Sequence, residues 1–198
     1  MNEDHREPPG CAAIGVLALQ GGFAAHARVL ARVGAAPRLV RKPADFDGLD
    51  ALVLPGGEST AMLHGLARDG LEGPLRAFLG SGRPVLATCA GLILVAHGVR
   101  HPTQRSFDVL DVDVERNAYG TQLDSFAATV DPGGAFPDFP AVFIRAPRIV
   151  GVGRGVEVLA CVHGGPVLVR AGAITAATFH PELGEDDRIH RTLLQRIR

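Results

Sequence analysis

The first half of the chain alternates short, almost wholly apolar runs with segments whose apolar residues recur at helical spacing. The apolar runs are Ala13–Leu19, Pro37–Val40, Ala51–Leu54 and Val85–Thr88. The helical segments are Phe23–Val33, a helix through Leu66 for which Ser59 or Thr60 is the predicted capping residue, Leu71–Leu79 and Ala90–Ala96. A run without polar alternation is typical of a strand buried on both faces. Such strands alternating with helices predict an α/β fold with a doubly wound, mostly parallel sheet flanked by helices.

The second half of the chain is richer in strands and is divided by Gly and Pro. We predict strands here, several of them antiparallel additions at the sheet edge, over Val109–Glu115, Gln122–Val130, Ala141–Ile144, Val156–Val162, Val167–Arg170 and Ile174–Thr178. A closing helix is predicted over Asp186–Ile197, because its apolar residues fall on one face.

Length and the N-terminal residues bound the domain organisation. The 198 residues suit one domain with a sizeable core, and no linker divides them. We predict a disordered tail over 1–12, since Met1–Gly10 is polar and carries two prolines, and a single domain over 13–198. The same residues lack the apolar stretch of a signal peptide, and no apolar run approaches ~18 residues. A cytoplasmic location without membrane association is expected.

Charge and cysteine usage argue against several classes of partner. The formal net charge is −1 and basic residues form no run, so nucleic acid is not an expected partner. Three cysteines without paired spacing do not describe a disulfide framework. No CxxC or HExxH motif is present. We predict that His97 and His101 lie in a surface loop rather than bind a metal.

Cys89 lies where the apolar run Val85–Thr88 meets a helix. Such a strand-to-helix turn exposes a nucleophile at the end of a sheet and needs small neighbours, here Ala87 and Gly91. The helix N-terminus and a nearby imidazolium would stabilise the thiolate. The alternative is a buried structural cysteine, the reading that fits Cys11 and Cys161.

His180, Pro181 and Glu182 directly follow the predicted strand Ile174–Thr178. Functional side chains in α/β proteins collect beyond the carboxyl ends of the strands. A carboxylate that accepts a hydrogen bond from one imidazole nitrogen leaves the other nitrogen to face a thiol. The alternative is a loop histidine beside a solvated glutamate.

A Gly-Gly turn, Pro55-Gly56-Gly57-Glu58-Ser59, precedes the second helix. Its backbone N–H groups could approach an anion closely. Because the segment lacks the glycine spacing and the lysine of a P-loop, a developing oxyanion fits better than a phosphate. Gly21-Gly22-Phe23 does not match GxGxxG, so dinucleotide binding has little support.

Together these segments resemble class I (triad) glutamine amidotransferases, whose fold is flavodoxin-like. A closer similarity is to the glutaminase subunits of pyridoxal 5′-phosphate synthase and runs from about residue 13 onwards. The segments that match the wider class are Gly56-Gly57-Glu58-Ser59, Thr88-Cys89-Ala90-Gly91 and His180-Pro181-Glu182. Those that match the subunits are Leu19-Gln20-Gly21, Pro55-Gly56-Gly57-Glu58-Ser59-Thr60, Val114-Glu115-Arg116-Asn117, Phe143-Ile144-Arg145-Ala146-Pro147 and Phe179-His180-Pro181-Glu182-Leu183.

The resemblance implies hydrolysis of L-glutamine to L-glutamate and ammonia. It makes Cys89 the nucleophile, His180 the acid and base, and Glu182 the residue that orients His180. It assigns the oxyanion hole to the N–H groups of Gly57 and Ala90.

The resemblance also implies a substrate site and a partner. The positions that match glutamine-binding residues are Gly57, Glu58, Ser59, Arg116, Ile144 and Arg145. Gln20 would face the synthase subunit that consumes the ammonia, and no cofactor or metal is implied. Two positions depart from the family pattern: Ala87 replaces a Gly, and Ala25-His26 stands where the family has Glu-His.

Three other functions remain open on sequence. The chain could be a glutaminase subunit of another synthase, although Glu115-Arg116-Asn117 argues against it. It could be a non-catalytic regulatory subunit of the same fold, or a cysteine hydrolase that acts on other amides or esters. Dependence on glutamine separates these functions.

Overall fold

Strands and helices alternate from Ala13 to Val95 in the computed structural model, which describes residues 11–116 and 125–197. The strands are β1 (Ala13–Leu17), β2 (Ala36–Val40), β3 (Ala51–Leu54), β4 (Val85–Thr88), β5 (Ala96–Arg100), β6 (Leu110–Glu115), β7 (Phe126–Thr129), β8 (Pro140–Phe143), β9 (Arg148–Val152), β10 (Glu157–Val162), β11 (Gly165–Ala171) and β12 (Ile174–Ala177). The helices are α1 (Phe23–Arg32), α2 (Ser59–Arg68), α3 (Glu72–Leu79), α4 (Ala90–Val95) and α5 (Arg188–Gln195).

The central sheet has seven strands in the order β10-β11-β12-β4-β3-β1-β2. The five strands from β12 to β2 are parallel, while β10 and β11 add antiparallel pairs at one edge. Every residue of β1, β3, β4 and β12 is buried. The predicted α/β class and the antiparallel edge strands are confirmed. Because the central strands run in one direction, their carboxyl ends meet at one edge.

Alternate residues of the central strands pack against helices on opposite faces of the sheet. Leu17 and Leu54 belong to the core that includes Met62 of α2 and the apolar residues of α3 and α4. Ile14 belongs to the other core, with Leu30 of α1 and residues of α5. Burial of both strand faces explains why the sequence runs are apolar without alternation.

Two smaller sheets were only partly predicted. Strands β5, β6 and β9 form one, and β7 and β8 form the other. The surface loop predicted at His97 and His101 is wrong for His97, which lies in β5 and pairs its Nδ1 with Asp108 Oδ1 at 2.6 Å. Strand β9 was not predicted from the sequence.

The start of α2 differs from the prediction. Its capping residue is Glu58 and not Ser59 or Thr60, because the Glu58 carboxylate accepts hydrogen bonds from the N–H groups of Thr60 and Ala61. The hydroxyls of Ser59 and Thr60 instead donate to Gln104 Oε1 at 3.0 and 3.1 Å. A carboxylate at this position also suits the positive end of the helix dipole.

Parts of two predictions lie outside the described residues, namely residues 1–10 of the predicted tail and the beginning of the predicted strand Gln122–Val130. Within the tail, the Ala12 carbonyl accepts a hydrogen bond from the Ala36 N–H at 3.0 Å. Among the described helices, none has the length and apolar character needed to cross a bilayer.

Candidate active site

Cys89 occupies a sharp turn between β4 and α4. Its φ of 49° is a conformation that non-glycine residues seldom adopt. The turn is held from the neighbouring strand, because the Cys89 N–H donates to the Ala177 carbonyl of β12 at 2.8 Å. The side chain is buried, and its Sγ lies 4.0 Å from the Ile144 carbonyl oxygen. Strained backbone that the surrounding structure enforces is characteristic of functional sites.

His180 and Glu182 follow β12 and lie at the same edge of the sheet. Imidazole Nδ1 of His180 is 2.8 Å from Glu182 Oε1, and both side chains are almost fully buried. The backbone N–H of His180 donates to the Val142 carbonyl of β8 at 2.8 Å. The hydrogen bond to Glu182 leaves Nε2 of His180 free to serve a second group.

Gly56 shows how closely Cys89 and His180 approach the loop after β3. A Cβ at position 56 would lie 2.3 Å from His180 Cε1 and 3.2 Å from Cys89 Cβ. A side chain here would displace the imidazole, so the sequence must have glycine. The structure thus brings the three motifs of the sequence together at one point.

The ionisation of His180 follows from its two neighbours. Burial lowers its pKa, but hydrogen bonds and charge interactions with Cys89 and Glu182 outweigh burial and raise the pKa to about 10. The pKa of Glu182 is lowered, because interactions with His26 and His180 outweigh its burial. His180 is thus held as an imidazolium at neutral pH, between the carboxylate of Glu182 and the thiol of Cys89.

The Gly56-Gly57 loop is held by the residues that follow β1. The Gly56 carbonyl accepts a hydrogen bond from the Gly22 N–H at 3.0 Å, and Gln20 Nε2 donates to the Glu58 carbonyl at 2.7 Å. Since the N–H of a trans peptide points away from its carbonyl, the Gly57 N–H is directed away from Gly22.

A cleft of about 330 Å³ opens beside Cys89. Its walls are formed by Gly57, Glu58, Ser59, Cys89, Ile93, Arg116, Ile144, Arg145 and His180. All six sequence-predicted substrate positions therefore line the same cleft as the thiol and the imidazole. Ala90 is buried at the start of α4, Glu182 lies behind His180, and Gln20 lies beside the Gly56-Gly57 loop.

The polar walls of the cleft carry both signs of charge. The Arg116 guanidinium lies 3.2 Å from Glu58 Oε1 and 3.4 Å from Thr60 Oγ1. The Glu58 pKa is lowered, because the backbone and side-chain donors and Arg116 outweigh partial burial. Among the described residues, no hydrogen bond or ion pair occupies the Arg145 guanidinium. The cleft thus presents a carboxylate, a paired cation and a free cation.

The family of this chain follows from comparison with known proteins. Residues 16–198 match the model of the SNO glutamine amidotransferase family. The chain belongs to this family. A pyridoxal 5′-phosphate synthase subunit PdxT from Koribacter versatilis is 50% identical over 93% of this chain and 95% of its own length. The subunit of the same name from Solibacter usitatus is 48% identical over 93% of this chain and 98% of its length.

A solved structure gives the same result for the fold. A crystal structure of a glutamine amidotransferase superposes with a TM-score of 0.86 at 44% identity, covering 93% of this chain and 98% of that one. The similarity to glutamine amidotransferases predicted from the sequence motifs is therefore confirmed.

Sequence reasoning missed several residues near the cleft of this family member. Ile93 lines the cleft from α4, and Gln104 holds the hydroxyls of Ser59 and Thr60. Behind Glu182 lie two buried histidines, His26 of α1 and His190 of α5. The family comparison had singled out Ala25-His26, but no sequence signal linked His26 to Glu182.

Proposed function

We propose that this chain is the glutaminase subunit of a pyridoxal 5′-phosphate synthase. It hydrolyses the side-chain amide of L-glutamine and delivers ammonia to a synthase subunit, in the cytoplasm. Family membership and the PdxT relatives support this function. The observation that carries the chemistry is the hydrogen bond between Glu182 and His180, whose imidazole lines the cleft beside the strained Cys89 turn.

The reaction begins when the Cys89 thiolate attacks the amide carbon and a carbon–sulfur bond forms. The imidazolium of His180 then gives its proton to the leaving nitrogen, which departs as ammonia as the carbon–nitrogen bond breaks. The neutral imidazole next takes a proton from water, whose oxygen attacks the thioester carbon. The carbon–sulfur bond then breaks, which releases glutamate and restores the Cys89 thiolate and the His180 imidazolium. Glu182 keeps the imidazole in the tautomer and orientation that both proton transfers need.

Two backbone donors would stabilise the tetrahedral intermediates. The Gly57 N–H is directed away from Gly22, and Gly57 lines the cleft. The Ala90 N–H follows the nucleophile directly, at the start of α4. Two N–H groups that converge on the developing oxyanion are the usual solution in acyl transfer.

The charges in the cleft fit the two ends of glutamine. A guanidinium from Arg116 or Arg145 suits the α-carboxylate, and the Glu58 carboxylate suits the α-ammonium group. Gly57, Ser59 and Ile144 would contact the rest of the substrate. The side-chain amide of glutamine lies at a fixed number of bonds from its α-carboxylate and α-ammonium groups. Binding of both charged groups therefore places the amide at the thiol.

The synthase subunit would bind near the residues that follow β1. Gln20 is half-buried, and its amide holds the Glu58 carbonyl beside the Gly56-Gly57 loop. A partner that contacts Gln20 could therefore influence the oxyanion donor of Gly57. Loss of one such donor changes rates on the order of 10²–10³-fold, so we expect turnover to rise when the synthase subunit binds.

Site-directed variants test the triad by glutamate release at increasing concentrations of the synthase subunit. Cys89→Ala and His180→Asn should abolish turnover with the fold intact, and Glu182→Gln should lower it strongly because the base remains without its orienting charge. Cys161→Ala is the matched control and should retain activity. Turnover near wild type in Cys89→Ala would refute the mechanism. Release of ammonia from other amides at the same rate as from glutamine would favour a different cysteine hydrolase.

A further inference from the structure

A network of buried polar side chains continues beyond Glu182, away from the cleft. His26 Nε2 lies 3.2 Å from Glu182 Oε2, the oxygen that His180 does not use, and 3.1 Å from Thr88 Oγ1. His26 Nδ1 lies 2.9 Å from Nε2 of His190. His26 and His190 are both 0% exposed. The network therefore joins α1 and α5 to the carboxylate of Glu182, which contacts His180.

The positions of the protons in this network can be assigned from its two ends, Glu182 and His190. An ionised Glu182 can only accept, so the His26 nitrogen that faces it must carry a proton to avoid repulsion. A neutral His26 then has a bare Nδ1, which accepts from the Nε2–H of His190.

The opposite assignment is unfavourable at both ends. If His26 carried its proton on Nδ1, a bare nitrogen would face the carboxylate of Glu182. His190 would then keep its proton on Nδ1, a buried atom that has no hydrogen-bond partner in the described structure. A buried unpaired N–H costs more than an unpaired lone pair on a neutral ring.

Both imidazoles are neutral at physiological pH. Burial lowers the pKa of His26 to about 4, despite the nearby charge of Glu182. Burial and the neighbouring His26 lower the pKa of His190 to about 3. Neutral partners give Glu182 a donor without a competing positive charge, so its charge remains available to the imidazolium of His180.

A purely structural role does not account for this network of buried polar side chains. Apolar side chains at 26 and 190 would fill the same core without desolvation of two imidazoles. Such a core would also remove the 3.2 Å contact of His26 Nε2 with Glu182 Oε2, a buried oxygen that makes no hydrogen bond within the described structure. A carboxylate with only one oxygen held could rotate away from His180.

We propose that His26 is a positioning residue for the glutaminase reaction: its Nε2–H, placed between Thr88 Oγ1 and the second oxygen of Glu182, keeps the carboxylate turned towards His180, and His190 fixes His26 in the tautomer that allows this. The inference rests on the proposed triad, since it gives Glu182 a role through His180. The proposed role of His26 adds no proton transfer to the reaction, because the neutral imidazoles of His26 and His190 only present N–H groups and do not exchange protons with Glu182.

Kinetics of matched variants in the complex with the synthase subunit test the proposal. His26→Leu keeps much of the volume and removes the N–H that faces the carboxylate, so kcat should fall by about 10–100-fold, the range for a lost polar contact with a charged group. The KM for glutamine should stay within about twofold, because the substrate contacts are untouched. His26→Gln places an amide N–H near Nε2 and should recover most of the loss. Melting temperatures verify that each variant is folded.

His190→Leu provides a second variant, because it removes the donor to His26 Nδ1 and leaves Glu182 and His26 in place. It should lower kcat by less than His26→Leu does. Folded His26→Leu with a wild-type kcat, or His26→Gln that is no better than His26→Leu, would overturn the proposal. Cys89→Ala separates this failure from that of the triad, since activity in Cys89→Ala would remove the triad itself.

Nitrogen-15 spectra of histidine-labelled wild-type protein test the tautomer without any turnover. The His26 signals, assigned from their loss in the His26→Gln spectrum, should show a neutral ring protonated on Nε2 at pH 7. A ring protonated on Nδ1, or a charged ring, would contradict the assignment even if His26→Leu failed to fold.

Discussion

The two arginines of the cleft differ in what already binds them. Arg116 is largely buried and shares Glu58 with the cap of α2, whereas Arg145 is exposed and lies in a turn with a φ of 42°. A cation already paired with a carboxylate has part of its charge neutralised. Arg145 is therefore the stronger candidate for the α-carboxylate, and Arg116 is the stronger candidate for holding Glu58 in position.

Replacement of each arginine measures this difference. Arg145→Ala should raise the KM for glutamine by roughly 10–150-fold, the equivalent of about 1.5–3 kcal/mol for a lost charge-assisted hydrogen bond. Arg116→Ala should raise it too, and Lys should not rescue either fully, because it lacks the planar fork. Arg170→Ala, which removes an ion pair with Glu157 outside the cleft, is the control. An unchanged KM in both cleft variants would show that neither binds substrate.

At this scale the sequence predicted what lies next to a distinctive backbone signal. Cys89 follows an apolar run, and His180 and Glu182 are adjacent to another. His26 gave no such signal, because a histidine in an amphipathic helix is equally compatible with the surface. Its partners come from β4, the segment after β12, and α5, and only the tertiary fold brings these together.

Helix α4 shows how an element is placed by a single missing side chain. A Cβ at Gly91 would lie 2.1 Å from the Leu54 carbonyl oxygen of β3, so the helix can pack this closely only with glycine. The same helix begins at Ala90 and follows Cys89 directly. Its distance from the sheet therefore sets the position of Cys89.

Gly91→Ala should accordingly destabilise the protein by about 1–3 kcal/mol, because backbone must shift to admit the methyl group. Glutamine turnover should fall more than stability does, since Cys89 and Ala90 move with α4. Gly73→Ala in α3 is the matched control: nothing lies within 4 Å of its Cβ position. The control should gain roughly 0.5–1 kcal/mol from its better helix propensity. Equal unfolding midpoints for the two variants in urea would contradict this account.

The elements that sequence reasoning missed are those specified by their neighbours. Strand β5 follows α4 without a break and contains Gly98, which reads as a loop residue. Its glycine is explained by β6, because a Cβ there would lie 1.9 Å from Asp113 Oδ1. Strand β9 pairs with β6 from the other side. Pairing partners of this kind decide strand formation more than intrinsic preference does.

Across the whole molecule, buried histidines of opposite behaviour set the pH range of stability. His26 and His190 have pKa values lowered from 6.5 to about 4 and about 3. The unfolded chain therefore binds more protons than the folded one as pH falls below 6.5. The pKa of His180 is raised to about 10, so its contribution is complete below pH 6.5 and is lost as pH rises through about 10.

The free energy of unfolding should consequently fall on both sides of neutrality. Between pH 6.5 and about 4, each buried histidine should contribute a slope of up to about 1.4 kcal/mol per pH unit. Urea unfolding at several pH values measures this, and the His26→Leu/His190→Leu double variant should show a shallower acid slope. His64→Gln, which changes an exposed histidine of α2, is the control. A double variant with the wild-type slope would show that other groups govern acid unfolding.

The sheet order also has a consequence for how the protein is made. Strand β12 lies between β4 and β11, although β4 leaves the ribosome long before it. Until β12 is inserted, β4 has an unpaired edge and the Cys89 N–H lacks the Ala177 carbonyl. An unfinished chain thus has a thiol without its imidazole or its strained turn. Under the proposed mechanism, we therefore expect ammonia production to begin only after the last central strand is in place.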